Sequence, residues 1–175
     1  MIYLIINKYF RNKVFKLKSI VIYFSKSGNI KKIASETAEL IKADIKEIIS
    51  LENMNGIFGF LKCGFQAITK KEARIGIVFD DLDSYDLVVI CGPVWVGHMS
   101  SPIRAFLKEF SSKINNPAFI ILHIFKKNNY LNVIKEMSDL SKSKEIASLS
   151  LPIKKDANYK QEILSFAKQI ASNLP

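Results

Sequence analysis

Residues 20–33 read Ile-Val-Ile-Tyr-Phe-Ser-Lys-Ser-Gly-Asn-Ile-Lys-Lys-Ile, and this stretch decides the fold. Ile20 to Phe24 form an unbroken β-branched and aromatic run, the length of a strand buried on both faces of a parallel sheet and too short for a helix. The run stops at Ser25-Lys26-Ser27-Gly28-Asn29. Apolar and small residues then recur at Ile30, Ile33, Ala34, Thr37, Ala38 and Ile41, the spacing of one helix face. The order is strand, tight polar turn, helix. Such a turn sets hydroxyls and free backbone N–H groups at a helix N-terminus, where the dipole favours a phosphate. Gly28 allows close backbone approach or positive φ. The plainer reading is that Ser27 or Asn29 caps the helix and binds nothing.

Several anion-binding motifs are excluded. The turn is not GxxxxGK[ST], and no GxGxxG occurs in the chain. Neither Cys63 nor Cys91 is followed by an Arg six residues on, as the anion loop of low-molecular-weight phosphatases requires.

At 175 residues and 49% apolar, the chain is expected to fold as a single domain. Its span is taken as residues 19–175, with 1–18 a basic N-terminal extension. The two cysteines are far apart and lack metal-like spacing, which argues against a disulfide framework or a zinc site and suits a reducing cytoplasm. No apolar run approaches the roughly 18 residues of a membrane helix, so neither export nor membrane insertion is expected. The net charge of +10 is uneven: Lys8, Arg11, Lys13, Lys16 and Lys18 supply half of it with no acid among them. Basic surfaces draw nucleic acid, anionic lipid or acidic proteins. No aromatic–basic recognition pattern repeats, so nucleic acid is not expected, and the excess reads as solvated lysine-rich faces. The opening MIYLII reads as an added edge strand, as an extension that pairs with a partner, or as an artefact of start-site choice.

Further along, Asp44 to Ile49 alternates weakly and reads as a second strand. Residues 54–71, MNGIFGFLKCGFQAITKK, are apolar on nearly every side of a helical wheel. Ile57, Leu61, Phe65 and Ile68 make one stripe, with Phe58 and Phe60 off it. The expectation is a core-facing stripe; the alternatives are a lip over a ligand or a homodimer contact through 54–71. Arg74 to Phe79 reads as a short extended segment, and Asp83 to Asp86 punctuates before a second buried strand, Leu87 to Cys91. That strand is expected to end in a long loop, Gly92-Pro93-Val94-Trp95-Val96-Gly97-His98-Met99-Ser100-Ser101-Pro102. The loop holds the chain's only Trp and closes on a serine and a proline at a helix start. Ile103, Phe106, Leu107 and Phe110 are the core face of that helix. Phe119 to Phe125 reads as a strand. Tyr130, Val133, Ile134 and Met137 mark a helix, and Glu145 to Leu151 a further strand. A last helix turns Tyr159, Ile163, Phe166, Ala167 and Ile170 inward. Five strands alternating with five helices predict a doubly wound parallel sheet, with a ligand outside the carboxyl ends of its strands.

Two motifs carry a family resemblance. IVIYFSKSGNIKKIA resembles the first-strand phosphate loop of the flavodoxin family, and YDLVVICGPVWVGHMSSPIRAFL resembles the third strand and flavin loop of flavodoxin-like proteins. GIFGFLKCGFQAITKK is similar to a helical segment between these motifs in prokaryotic relatives. The resemblance covers roughly residues 19–172. It implies a five-stranded sheet of order 2-1-3-4-5 with helices on both faces. It also implies FMN as cofactor, its phosphate held by Ser25, Lys26, Ser27, Gly28, Asn29 and the Ile30 amide, and its ring bordered by Pro93, Val94, Trp95, Val96, Gly97 and His98. The implied activity is electron transfer with a redox partner protein or a small-molecule acceptor, without a catalytic side chain or a metal. The alternatives are an NAD(P)H-dependent flavin or quinone reductase and a scaffold or binding protein of the same fold that has lost FMN. Ile30 stands where the family usually has Thr, and Lys126 to Tyr130, after the fourth strand, contains no Gly. Tyr130 reads either as a stacking aromatic or as part of the helix core.

Overall fold

A computed structural model describes residues 17–77, 79, 81–125, 129–154 and 158–174. The MIYLII segment lies outside the described residues. The elements are β1 (Ser19–Tyr23), α1 (Asn29–Ile41), β2 (Asp44–Glu47), β3 (Ile49–Ser50), α2 (Gly56–Ile68), β4 (Ile75–Gly76), β5 (Leu87–Trp95), β6 (His98–Met99), α3 (Ser101–Phe110), β7 (Pro117–His123), α4 (Leu131–Ser141), β8 (Ala147–Pro152) and α5 (Lys160–Asn173). Five strands pair in parallel in the order β2-β1-β5-β7-β8, and β6 adds antiparallel to the end of β5. In chain order of the parallel strands this is 2-1-3-4-5, the expected flavodoxin-like α/β arrangement. A small antiparallel pair, β3 with β4, stands apart.

Side-chain alternation along each strand sorts the core into two layers. Val21, Val89, Cys91, Ile120 and Leu122 pack under α1 and α5, against Ile33, Phe166 and Ile170. Ile20, Ile22, Val88, Ile90, Phe119 and Ile121 pack on the other face, against Ile103 and Phe106 of α3 and Val133 and Met137 of α4. A strand covered on both sides has no solvent face to mark with polar residues, which is why β1 and β5 read as continuous apolar runs. All six inward positions expected for α1 are buried, as are those expected for α3 and α5. Leu17 packs on the core, and Lys18 ties the start of β1 to Asp81 (3.1 Å) and through its amide to Asp86 (2.9 Å).

Two expectations fail. Gly92 to Ser101 is not a long loop: β5 runs on to Trp95, turns at Val96-Gly97 and returns as β6, with Val94 opposite Met99 and Trp95 opposite His98. The glycines and prolines that suggested a loop are accommodated at the end of the strand, where Pro93 pairs with β7 at its margin.

The second failure is the facing of α2. Ile57, Leu61, Phe65 and Ile68 do not face the core but are all more than half exposed, as are Phe58 and Phe60. The helix instead buries Gly59, Cys63, Gln66 and Ala67. A polar network seats it: Gln66 donates to Glu52 Oε2 (2.9 Å) and accepts from Ser101 Oγ (2.8 Å). Glu52 also accepts from the Arg74 amide (2.9 Å) and pairs with Lys62 (2.5 Å). Burial alone would raise the Glu52 pKa, but these donors outweigh it and hold the carboxyl below its ordinary value. A helix seated by small side chains and directed hydrogen bonds leaves its bulky residues on the other side.

A Cβ on Gly59 would lie 2.2 Å from the Met54 carbonyl carbon, whereas one on Gly64 would meet only Val96 Cγ2 at 3.3 Å. Gly59→Ala is therefore expected to lower the free energy of urea unfolding by about 1–3 kcal/mol through overpacking. Gly64→Ala is expected to be near neutral. Equal midpoints in the two variants would contradict this seating of α2.

Candidate functional site at the carboxyl ends of two central strands

The parallel pairing of β1 and β5 ends with Tyr23 beside Cys91, and the Phe24 amide donates to the Cys91 carbonyl at 3.1 Å. The polar turn and the β5–β6 hairpin therefore leave the same edge of the sheet side by side. Trp95 sets its ring edge-on to Phe24, with centroids 5.7 Å apart at 87°. This contact joins the two segments that the sequence had singled out separately.

In the turn, Lys26, Ser27, Gly28 and Asn29 are exposed, Ser25 is half-buried, and the Ile30 side chain enters the core. Gly28 precedes α1 with φ +84°, a conformation that disfavours any side chain, although space around it is open. No side chain caps α1, and its first turn holds no acid. Asn29 Nδ2 donates to Ser27 Oγ (3.2 Å), so neither residue performs the plain capping role. The first intrahelical bond runs from the Lys32 amide to the Gly28 carbonyl, leaving the Asn29, Ile30 and Lys31 amides without helical acceptors. Ser25 Oγ is buried without a hydrogen-bond partner. Free amides, an unsatisfied hydroxyl and the nearby cations Lys26, Lys31 and Lys32 form a local environment suited to an anion.

The hairpin carries strain. Val96 (φ +51°) and Gly97 (φ +79°) both sit at positive φ, as a two-residue type I′ turn requires. For Gly this costs little; for a β-branched Val it is an outlier. The surroundings maintain it from outside: Asn132 Nδ2 donates to the Gly97 carbonyl (3.2 Å), and Tyr130 Cε1 lies 3.9 Å from where a Gly97 Cβ would stand. At Gly92 a Cβ would fall 2.5 Å from Ile103 Cγ1, so glycine lets α3 pack close under the hairpin. Pro93, Val94, Trp95, Gly97 and His98 are half-buried, and Val96 is exposed.

Phe24, Asn132 and His123 adjoin this edge and were not among the sequence-derived candidates; Tyr130, which pairs with His123, was read either as a stacking aromatic or as part of the helix core. His123 ends β7 and is 2% exposed; its ring lies 4.8 Å from that of Tyr130. Tyr130 is half-buried at the start of α4 and packs on the core, which favours the core reading of this residue. Part of the glycine-free segment, 126–128, lies outside the described residues. A polar residue closing the apolar run FIILH was the available signal for His123; Asn132 had none, because its acceptor is 35 residues away. Lys26 is also near α2. Burial pushes the Cys63 thiol pKa up, and the Lys26 charge is the largest opposing influence.

Among the described residues no cluster of three or more His, Cys, Asp or Glu side chains is placed to hold a metal. A cleft of about 600 Å³ opens between α4 and the start of β8, lined by Leu131, Lys135, Ser138 and Glu145. Its polar groups largely satisfy one another, Lys135 with Asp139 and Ser138 with Glu145. The turn and hairpin are the stronger candidate, because their polar groups remain unclaimed.

No family model matches the sequence, and no curated protein matches it. Solved structures do. The chain is similar to a flavoprotein from Lactobacillus acidophilus NCFM crystallised in complex with FMN, at 21% identity and TM-score 0.66 over 77% of this chain and 93% of that one. It is similar to oxidised flavodoxin 1 from Bacillus cereus at 13% identity and TM-score 0.56, over 90% and 99% of the two chains. A flavodoxin from the domain Archaea shares 18% identity at TM-score 0.57, over 90% and 99%. At identities this low the structural similarity shows a shared flavodoxin-like fold and nothing beyond it.

His123 Nδ1 donates to the Phe125 carbonyl (2.9 Å), and Nε2 is buried without a partner. Burial lowers its pKa below the ordinary 6.5, only partly opposed by that hydrogen bond. The unfolded chain therefore takes up this proton first as pH falls. The resulting stability is fully present above about 6.5 and is lost as pH drops through the lower folded-state value. Between pH 7 and 5 the urea midpoint of wild type is expected to fall further than that of His123→Phe. Parallel pH profiles would show that His123 is not held neutral.

Proposed function

We propose that this protein binds FMN across the Ser25–Ile30 turn and the Pro93–His98 hairpin and works in electron transfer. The observation that carries the reading is the uncapped, acid-free start of α1 with the unpartnered Ser25 hydroxyl, directly beside an aromatic hairpin pinned by the Phe24–Trp95 contact. The residues fit the cofactor: Ser25 and Ser27 offer hydroxyls, Asn29 and Ile30 backbone amides, and Lys26 a charge to the phosphate. Gly28 sets the backbone conformation that presents them. Ile30 contributes only its N–H, since its side chain is 3% exposed and committed to the core. Pro93, Val94, Trp95, Val96, Gly97 and His98 border the ring, with Trp95 supplying an aromatic surface. Bound FMN would supply one- or two-electron redox chemistry at its flavin ring. The chain's own part is to hold the phosphate, keep the hairpin oriented through Asn132, and shield the ring with half-buried side chains. The flavoprotein from Lactobacillus acidophilus with FMN bound supports the cofactor assignment. The electron acceptor is a redox partner protein. We place the protein in the cytoplasm; among the described residues no helix is long and apolar enough to cross a membrane.

One observation favours a second reading, an NAD(P)H-dependent quinone reductase. Val96, Ile124, Phe125 and Leu131 are large apolar side chains left exposed around the carboxyl edge of β5 and β7. A flat apolar acceptor would cover such a rim. Steady-state turnover of NADPH with a quinone by the flavin-loaded protein decides for this reading; no turnover decides for the partner protein.

Ser27→Ala is expected to weaken FMN binding by about 1–2 kcal/mol, the loss of one hydrogen bond to a charged group. Gly28→Val is expected to weaken it more, because φ +84° is strained for a β-branched residue. Titration of the apoprotein should quench the emission of Trp95, the chain's only Trp, strongly and saturably. Unchanged flavin titrations in both variants would remove the phosphate assignment. A colourless protein that leaves Trp emission untouched at saturating FMN would make the fold a binding scaffold without flavin.

A further inference from the structure

We propose that the outward face of α2 is the seam of a two-fold homodimer. The helix carries Ile57, Phe58, Phe60, Leu61, Phe65 and Ile68 at 53% to 88% exposure. Gly64, on the same side, would place a Cβ 3.3 Å from Val96 of the hairpin, so exposed Val96 continues the patch. Seven large apolar side chains on one surface present on the order of 1,000 Å², well above the ~300–600 Å² of the largest patch on a typical monomer. A standard interface buries about 800 Å² per partner, so this surface is sufficient for a stable dimer.

The face is a settled feature of the fold. Gln66, Glu52 and Ser101 hold α2 by directed hydrogen bonds, and Gly59 fits only against the Met54 backbone, so the helix cannot roll its aromatics inward without breaking both. The local charge selects the occupant. Lys62 is the one charged residue of α2 and pairs with Glu52; Lys70, just past the helix, pairs with Glu136. An amphipathic helix that lies on anionic lipid has a basic polar face beside its apolar one. Here the polar side of α2 is turned into the protein and is occupied by Gly59, Cys63 and Gln66. Lys71 lies at the end of the patch with its Nζ 5.4 Å from the Phe65 ring centroid; a face that is otherwise apolar is matched best by a copy of itself, and a two-fold axis makes the contact self-complementary and closed. Because the patch runs into Val96, the second copy would border the hairpin of the candidate flavin site.

Sedimentation velocity of the full chain at micromolar concentration, with and without FMN, is expected to give the mass of a dimer. Phe58→Lys and Leu61→Lys should each sediment as monomers at concentrations where wild type is dimeric, with unchanged circular dichroism, since both side chains are exposed on the single chain. Mixing Leu61→Lys with Leu61→Glu should restore dimer mass. A wild-type monomer throughout the concentration range, or a dimer that survives both lysine variants, overturns the seam. A monomer that floats with phosphatidylserine vesicles and is released by Phe58→Lys overturns it in favour of a lipid surface. Dimerisation in the absence of FMN keeps this result separate from the flavin assignment.

Discussion

The last rung between β1 and β5, from the Phe24 amide to the Cys91 carbonyl, fixes where the two loops of the candidate site begin. Parallel strands whose mutual pairing stops at one rung carry their chains out at the same edge of the sheet, even though β5 itself continues to Trp95. From that edge one chain enters α1 on one face of the sheet, and the other turns back as a hairpin. β2 lies to one side of β1 and β5 to the other, so the crevice forms where the connections diverge, the usual ligand position in open α/β sheets. Burial of Val21, Ile22 and Val88 to Cys91 on both faces gives this register its strength. A slip of one residue would exchange the two core layers and lose both.

Two unfavourable features lie in the hairpin and in α3 behind it, and both are stabilised by residues distant in sequence. Val96 occupies a left-handed conformation, kept by the Asn132 side chain and the Tyr130 ring at the start of α4. Arg104, 2% exposed, spends one guanidinium nitrogen on Glu136 at 2.8 Å and leaves two others unpartnered. Burial would raise the Glu136 pKa, yet Arg104 and Lys70 outweigh it and keep the carboxylate below its ordinary value. A buried pair of this kind adds little net stability, because desolvation offsets most of the Coulomb attraction. It does specify geometry, joining α3, α4 and the end of α2. Those three elements surround the hairpin, and their mutual placement determines how the hairpin is presented.

α2 shows which contribution wins when bulk hydrophobicity and packing space disagree. Each buried large apolar side chain is worth about 1.5–3 kcal/mol, so turning the Ile57–Ile68 stripe inward would be favoured in isolation. The Met54 backbone leaves no room for a Cβ at Gly59, and Glu52 and Ser101 present polar groups that need partners. Leaving those groups unsatisfied costs about 1–3 kcal/mol each, and forcing a bulky side chain into the gap adds overpacking strain. The helix therefore turns Gly59, Cys63, Gln66 and Ala67 inward. The apolar surface left outside is available for association.

The strand order came with the flavodoxin resemblance; the sequence by itself marked the layer architecture and both candidate segments. Those depend on local patterns: unbroken runs for strands buried on two faces, a 3.6-residue period for one-sided helices, and Gly28 where φ must be positive. It also marked Trp95 and the Pro-capped start of α3, whose signals lie within a few residues of one another. Tertiary structure alone decided the rest. A helix apolar all round has no preferred face until a neighbour offers a shape, so α2 was assigned a core stripe that it turns to solvent. Gly92 to Trp95 look like a loop by composition and become strand because β7 and β6 supply hydrogen-bond partners. Asn132, Phe24 and His123 reached the site through contacts between residues far apart in sequence, and separation of that kind leaves no periodicity to read.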